Sequence, residues 1–149
     1  MDLNLLMTST VLIVACVSVV WLISLRLSNA GIADIWWGPG FAVIAWTVHT
    51  HSQPGDLRLT VVTALLTIWA LRLGGYLAHR NLGHSEDKRY VAMRLKSNHF
   101  WLLSLFKVFI LQGLLQVVVA TPVIGLANSS VPMSALDWMG ATITAIGIG

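Results

Sequence analysis

Charge is what this sequence has least of. Asp, Glu, Lys and Arg together make up 10% of its 149 residues, where a soluble domain carries about 25%. With 56% hydrophobic residues and a mean hydropathy of +0.78, the composition is that of an integral membrane protein. Cysteine is nearly absent. The single Cys16 excludes a disulfide framework, and in the first apolar run it reads as packing. No P-loop, nucleophile elbow or dinucleotide GxGxxG occurs. His79 and His84 are five apart, off a common helical face, and no cysteine joins them. No metal site is expected there, nor at the "HTH" of 49–51. Internal repeats and low-complexity segments are also missing.

The positive charge that exists is concentrated. The pI is about 9.5, yet six of the nine Lys and Arg fall between Arg72 and Lys96. Charge confined beside a membrane span is a topology signal and a possible phosphate site. Its confinement argues against nucleic acid as a partner.

Long apolar runs fill the rest. The first span is Leu5 to Leu25, 21 residues without charge, enough for about 30 Å of hydrocarbon. It is too long, and its flank too poor in Lys and Arg, for a signal peptide. Further spans are expected at Ile32 to Thr50, Leu59 to Leu77 and Phe100 to Leu126. A fifth starts at Leu136 and reaches Gly149. The turn-rich "HTHSQPGD" and "ANSSVP" separate spans. The fold class is therefore all-α: one domain, 1–149, a polytopic transmembrane bundle of four full spans plus the start of a fifth. Fourteen residues give only about 21 Å of helix, so the chain reads as the N-terminal part of a longer protein. Lys and Arg counting puts the N-terminus outside and the Arg72–Lys96 loop in the cytoplasm.

The second span contains "ADIWWGPGFAVIAW", with Asp34 and Gly38-Pro39-Gly40 inside an apolar run. Pro39 removes a backbone donor and clashes with the carbonyl four residues back. An interrupted helix is expected, with its freed groups facing protein or a wet cavity. Asp34 has two readings. It caps the second helix at the interface, flanked by Trp36 and Trp37 as belt aromatics, or it faces a pocket on the cytoplasmic side. The readings are compatible.

Arg72, Tyr76 and Arg80 recur every fourth residue, on one face of the third span. Snorkelling and interfacial anchoring account for Arg72 and Tyr76 without a function. In "GHSEDKRYVAMRLK", Gly83 ends the third helix, and Ser85 caps the next with Glu86 and Asp87 in its first turn. Arg89, Tyr90 and Arg94 follow. A surface helix accounts for this pattern. A phosphorylated cofactor accounts better for the Arg density and paired acids: Arg grips phosphate bidentately, acids fix Arg or accept ribose hydroxyls, and Tyr stacks. Gln112 and Gln116 share a face of the fourth span as interhelical glue. Lys107 snorkels or pairs with an acid such as Asp34.

Three blocks, "DIWWGPGF", "IWALRLGGYLAHRNLGHSEDKRYVAMR" and "FKVFILQG", resemble a known family. The chain looks like the bacterial DUF1295 membrane proteins, relatives of the steroid 5-alpha-reductases. The resemblance covers nearly the whole chain. It implies a seven-helix enzyme of the bacterial inner membrane. That enzyme would use NADPH to reduce a carbon–carbon double bond conjugated to a ketone in a hydrophobic, lipidic substrate. The family's Arg-His-Pro-Asn-Tyr-type motif is not in this chain. The chain would supply the substrate-side helices and one wall of the cofactor site, and would be inactive alone. The steroid reductases carry a Gln-Glu pair on their second helix that is also missing; Asp34, the only acid on the second span, is expected to stand in for it. As expectations, Asp34 and Tyr76 are catalytic. A carboxyl kept protonated by an apolar site donates to the developing oxyanion, with Tyr76 the second donor. Arg80, Arg89 and Arg94 hold phosphates, and Glu86, Asp87 and Tyr90 position them or the ribose. The alternatives are an isoprenylcysteine methyltransferase-like enzyme using S-adenosylmethionine and a non-enzymatic membrane scaffold.

Overall fold

The computed structural model describes residues 2–53, 55–128 and 131–149. Pro54, Ser129 and Ser130 lie outside the described residues, so the two expected turn-rich loops are described only in part. Regular structure among the described residues is helical throughout: α1 (Leu3–Leu27), α2 (Ile32–His51), α3 (Leu57–Asn81), α4 (Lys88–Leu95), α5 (Phe100–Val119), α6 (Thr121–Gly125) and α7 (Ala135–Ile148).

Local chemistry sets the helix ends. The Asp2 carboxylate accepts from the N–H groups of Asn4 and Leu5 at 2.9 and 3.2 Å, and the Asp56 carboxylate accepts from Leu59 N–H at 3.1 Å. Both satisfy donors that have no partner inside the helix. Ser28, at φ 53°, ends α1. Pro122 has no N–H to give to the Val118 carbonyl, so α5 stops at Val119 and a short α6 starts at Thr121. The expected fourth span to Leu126 is shortened for that reason.

Helices α1, α3 and α5 are long and apolar enough to cross a membrane, and α7 is apolar but has 14 residues. Outward faces such as Met7, Val11, Leu71, Phe106 and Val118 are exposed, as suits contact with lipid. Helix α2, at 20 residues, has the length but carries Asp34, His49 and His51. It is the most buried helix, packed by α1, α3 and α5, with Ile44, Ala45 and Val48 nearly inaccessible.

The expected interruption of α2 is not there. The helix runs unbroken from Ile32 to His51 through Gly38-Pro39-Gly40. The motif serves close packing instead. A Cβ on Gly38 would lie 3.1 Å from the Ala70 carbonyl of α3, and one on Gly74 would lie 3.2 Å from the Pro39 ring. A Cβ on Gly40 would lie 2.5 Å from the Gln116 amide of α5. Gln116 is fully buried and donates to the Trp37 carbonyl at 2.7 Å. It meets the expectation of a glutamine joining helices, and a neighbouring helix thus shares the polar load near the proline.

Two more expectations are corrected. Asp87, not Ser85, caps α4 by accepting from Arg89 N–H at 2.8 Å, so the helix starts at Lys88 and Glu86 stands outside it. Asp34 is not the cap of α2. Gly31 occupies that position, and Asp34 lies in the first turn, where the helix dipole favours an acid. Lys107 lies in a π-helical turn of α5, Leu105–Ile110, is exposed, and takes part in none of the ion pairs among the described residues.

Candidate functional site

The polar chemistry gathers where the α1–α2 connection, the end of α3 and helix α4 meet. Glu86 holds this corner together. Its carboxylate accepts from Arg94 through two bonds, 2.8 and 3.1 Å, and from Ala30 N–H at 2.8 Å. Arg94 also donates to the Ser28 carbonyl at 3.3 Å and lies 4.2 Å over the Phe100 ring. The Glu86 side chain is only 9% exposed. The pair therefore latches α4 onto the turn between α1 and α2, and neither side chain lines the nearby cleft.

That latch delivers Tyr90 and Arg89 to Asp34. The Tyr90 hydroxyl donates to Asp34 Oδ1 at 3.1 Å, and Arg89 Nη2 stands 3.4 Å from Asp34 Oδ2. Tyr90 is buried. Burial pushes its phenol up to about 12, with the negative charge of Asp34 and the bond to it adding to the rise. Arg89 is 69% exposed and also bonds Asp87 through Nε and Nη2. That contact holds the Asp87 carboxyl below its usual range and raises the Arg89 guanidinium.

In front of Asp34 lies an open cleft of about 470 Å³, lined by Asp34, Trp37, Leu73, Leu77, Arg80, Arg89 and Gln112. A hollow of about 290 Å³ adjoins on the far side of Arg80, with Asn29, Asn81, His84 and Asp87 in its wall. Arg80 is common to both. The Asp34 side chain is 26% exposed, so it sits at the cleft mouth rather than in a closed chamber.

Of the residues expected to act, the fold brings Asp34, Arg80, Arg89 and Tyr90 to this corner, with Asp87 behind Arg89. Glu86 and Arg94 engage each other. Tyr76 is 58% exposed, lies under the Arg80 guanidinium at 5.6 Å, and does not line the cleft. Gln112, read from the sequence only as interhelical glue, lines the cleft, and its amide lies against the Tyr90 phenol. Its signal was a polar side chain inside an apolar run. No three His, Cys, Asp or Glu side chains cluster as a metal site among the described residues.

Fold and site define a class: an all-helical protein with membrane-length helices and a charged cleft where α2, α3, α4 and α5 meet. The chain belongs to the family described as Protein of unknown function (DUF1295), which matches residues 20–149 and so takes in every residue of the cleft. No curated protein and no solved structure matches the chain.

Proposed function

We propose that the cleft is the working face of a membrane reductase of the kind found among the steroid 5-alpha-reductases. It reduces a carbon–carbon double bond conjugated to a ketone in a lipidic substrate, with NADPH as cofactor. The observation that carries the reading is the arrangement at Asp34. A carboxylate held by a buried tyrosine and an arginine faces a cleft whose other polar groups are Arg80 and Gln112. The chain's place would be the bacterial inner membrane, with this corner on the cytoplasmic side where NADPH is available.

NADPH fits the cation pattern. Arg80 stands between two hollows and Arg89 is exposed beside it, so their guanidinium groups would take its phosphates. NADPH, when bound, supplies a hydride to the β-carbon of the enone. Charge then builds on the ketone oxygen, and donors aimed at that oxygen lower the barrier. Asp34 accepts from Tyr90 and Arg89, which supports a positioning role for it instead of the donor role expected from sequence. With Arg80 and Arg89 on the phosphates, the donor left on the cleft for that oxygen is the Gln112 amide. Solvent entering the open mouth returns a proton to the α-carbon and completes the saturated ketone.

A methyltransferase using S-adenosylmethionine is the second reading. That cofactor carries no phosphate, and the shared Arg80 between two hollows weighs against it. A scaffold has no need of a buried tyrosine tuned by an acid.

The test is anaerobic incubation of the protein with NADPH and a panel of enones, alongside thermal shift with NADPH and with S-adenosylmethionine. Enone-dependent NADPH oxidation and a shift with NADPH alone are expected. A shift with S-adenosylmethionine and none with NADPH overturns the reading.

A further inference from the structure

A second hollow opens on the side of the bundle, with the exposed Val119 and Thr144 at its rim. It measures about 440 Å³ and is walled by Phe41 of α2, Leu66 and Trp69 of α3, Ala120 and Val123 near α6, and Thr144 of α7. Its walls are almost wholly apolar: the one hydroxyl, on Thr144, donates to the Gly140 carbonyl at 2.8 Å, and the only other side-chain polar group in the wall is the Trp69 indole N–H. An apolar recess of this kind favours apolar guests.

The hollow begins about one turn beyond the charged cleft on α2 and α3. On α2, Trp37 lines the cleft and Phe41 the hollow; on α3, Leu73 lines the cleft and Trp69 the hollow. Each pair is four residues apart, on one helical face, a step of about one turn or 5.4 Å. On α5, Gln112 lines the cleft and Val119 the hollow, with the fully buried Gln116 packed between them against Gly40. The aromatic wall is continuous: Trp37 meets Phe41 edge-on at 5.7 Å, and Phe41 meets Trp69 edge-on at 5.8 Å. From Arg80 to Val62, the far limits of cleft and hollow on α3, is about 27 Å of helix.

We infer that cleft and hollow are the two ends of one binding groove for an amphiphile. Its carbonyl-bearing end lies at Asp34 and Gln112. Its body, free of hydroxyls and charge, runs over the Trp37–Phe41–Trp69 wall into the hollow. The inference rests on the reductase reading for the identity of the polar end and adds the part of the protein that selects the tail. Polarity is what matches guest to groove. One end offers charge and amide, the other hydrocarbon with one hydroxyl and one indole N–H, too few partners to satisfy a second headgroup.

Two photoaffinity probes test it on the protein in nanodiscs. Both are long-chain alkyl enones, one with a diazirine at the chain end and one with it beside the enone. The chain-end probe is expected to mark Leu65, Leu66 or Val123, and the other probe Trp37, Leu73 or Leu77. Val123→Trp and Thr144→Trp, each checked for an unchanged melting profile, fill the hollow. Either is expected to abolish chain-end labelling there while labelling at the cleft persists. A phospholipid with a diazirine on its acyl chain reports on bulk lipid. If it marks the hollow as strongly as the enone does, or if chain-end adducts fall on outward residues such as Leu71 and Phe106 in native and filled proteins alike, the inference is overturned. Labelling needs no hydride transfer. Correct adducts without enone reduction therefore remove the reductase reading and leave the groove standing. Reduction with misplaced chain-end adducts does the reverse.

Discussion

The phenol of Tyr90 donates to the Asp34 carboxylate at 3.1 Å, across 56 residues of sequence, and ties the short polar helix to the central apolar one. Removing either partner leaves the other poorly satisfied. Tyr90→Phe is expected to cost about 1–3 kcal/mol. Asp34→Asn is expected to be less damaging, since an amide still accepts. In a double-mutant cycle read by thermal unfolding in detergent, the two changes should couple. Strict additivity would mean that the bond carries no energy.

The same pair sets a pH dependence. Tyrosine ordinarily titrates near 10, and Tyr90 is pushed up to about 12 by burial first and by Asp34 second. Between those values the unfolded chain gives up its proton while the folded one keeps it. Stability from this group is therefore full below about pH 10 and is lost as pH rises towards 12. The chain has two tyrosines, so Tyr76→Phe leaves Tyr90 as the only phenol. Its absorbance titration should have a midpoint near 12, and Asp34→Asn should lower that midpoint. An ordinary midpoint would remove the burial argument.

Glu86 and Arg94 are expected to separate from Arg89 by readout. Glu86→Gln should lower stability by about 1–3 kcal/mol, discounted because Arg94 is 40% exposed. It should also speed hydrogen exchange at Ala30, yet leave the NADPH dissociation constant unchanged. Arg89→Ala should weaken NADPH binding with little change in melting. Loss of NADPH affinity in Glu86→Gln at full stability would return the latch to the cofactor site.

Gly40→Ala should destabilise by about 1–3 kcal/mol, because the new Cβ would stand 2.5 Å from the Gln116 amide. Trimming the clash with Gln116→Ala in the same chain should recover part of the loss. A Gly40→Ala protein that melts like the native one would contradict the packing of α2 on α5.

Lys88→Ala changes a charge on the same short helix without touching the cleft, since Lys88 is exposed and lines neither hollow. It should leave both NADPH affinity and melting within error. An effect as large as that of Arg89→Ala would show that general positive charge, not position, is what counts.

Much of the architecture was legible from composition and periodicity. Uninterrupted apolar runs leave a chain little choice but helix when every backbone group must be satisfied internally. The helices α1, α2 and α3 accordingly fall within a few residues of their expected places, and of these α1 and α3 are long and apolar enough to cross a membrane. The helix ending before Gly83, at φ 81°, was equally local. Local rules misled at Gly38-Pro39-Gly40. A proline's missing donor is a local fact, but whether a helix breaks depends on neighbours, and here Gly74 and Gln116 close around it.

By itself, then, the sequence determined the helical class, the membrane-length runs and the gathering of charge beside the third helix, because each follows from residues near one another in the chain. Only the tertiary structure decided which charges meet. It set Arg94 on Glu86, Arg89 and Tyr90 on Asp34, and Tyr76 on the outside. Pairing of side chains depends on how α4 folds back over the α1–α2 turn, and that angle is fixed by packing between distant segments, which no local spacing encodes.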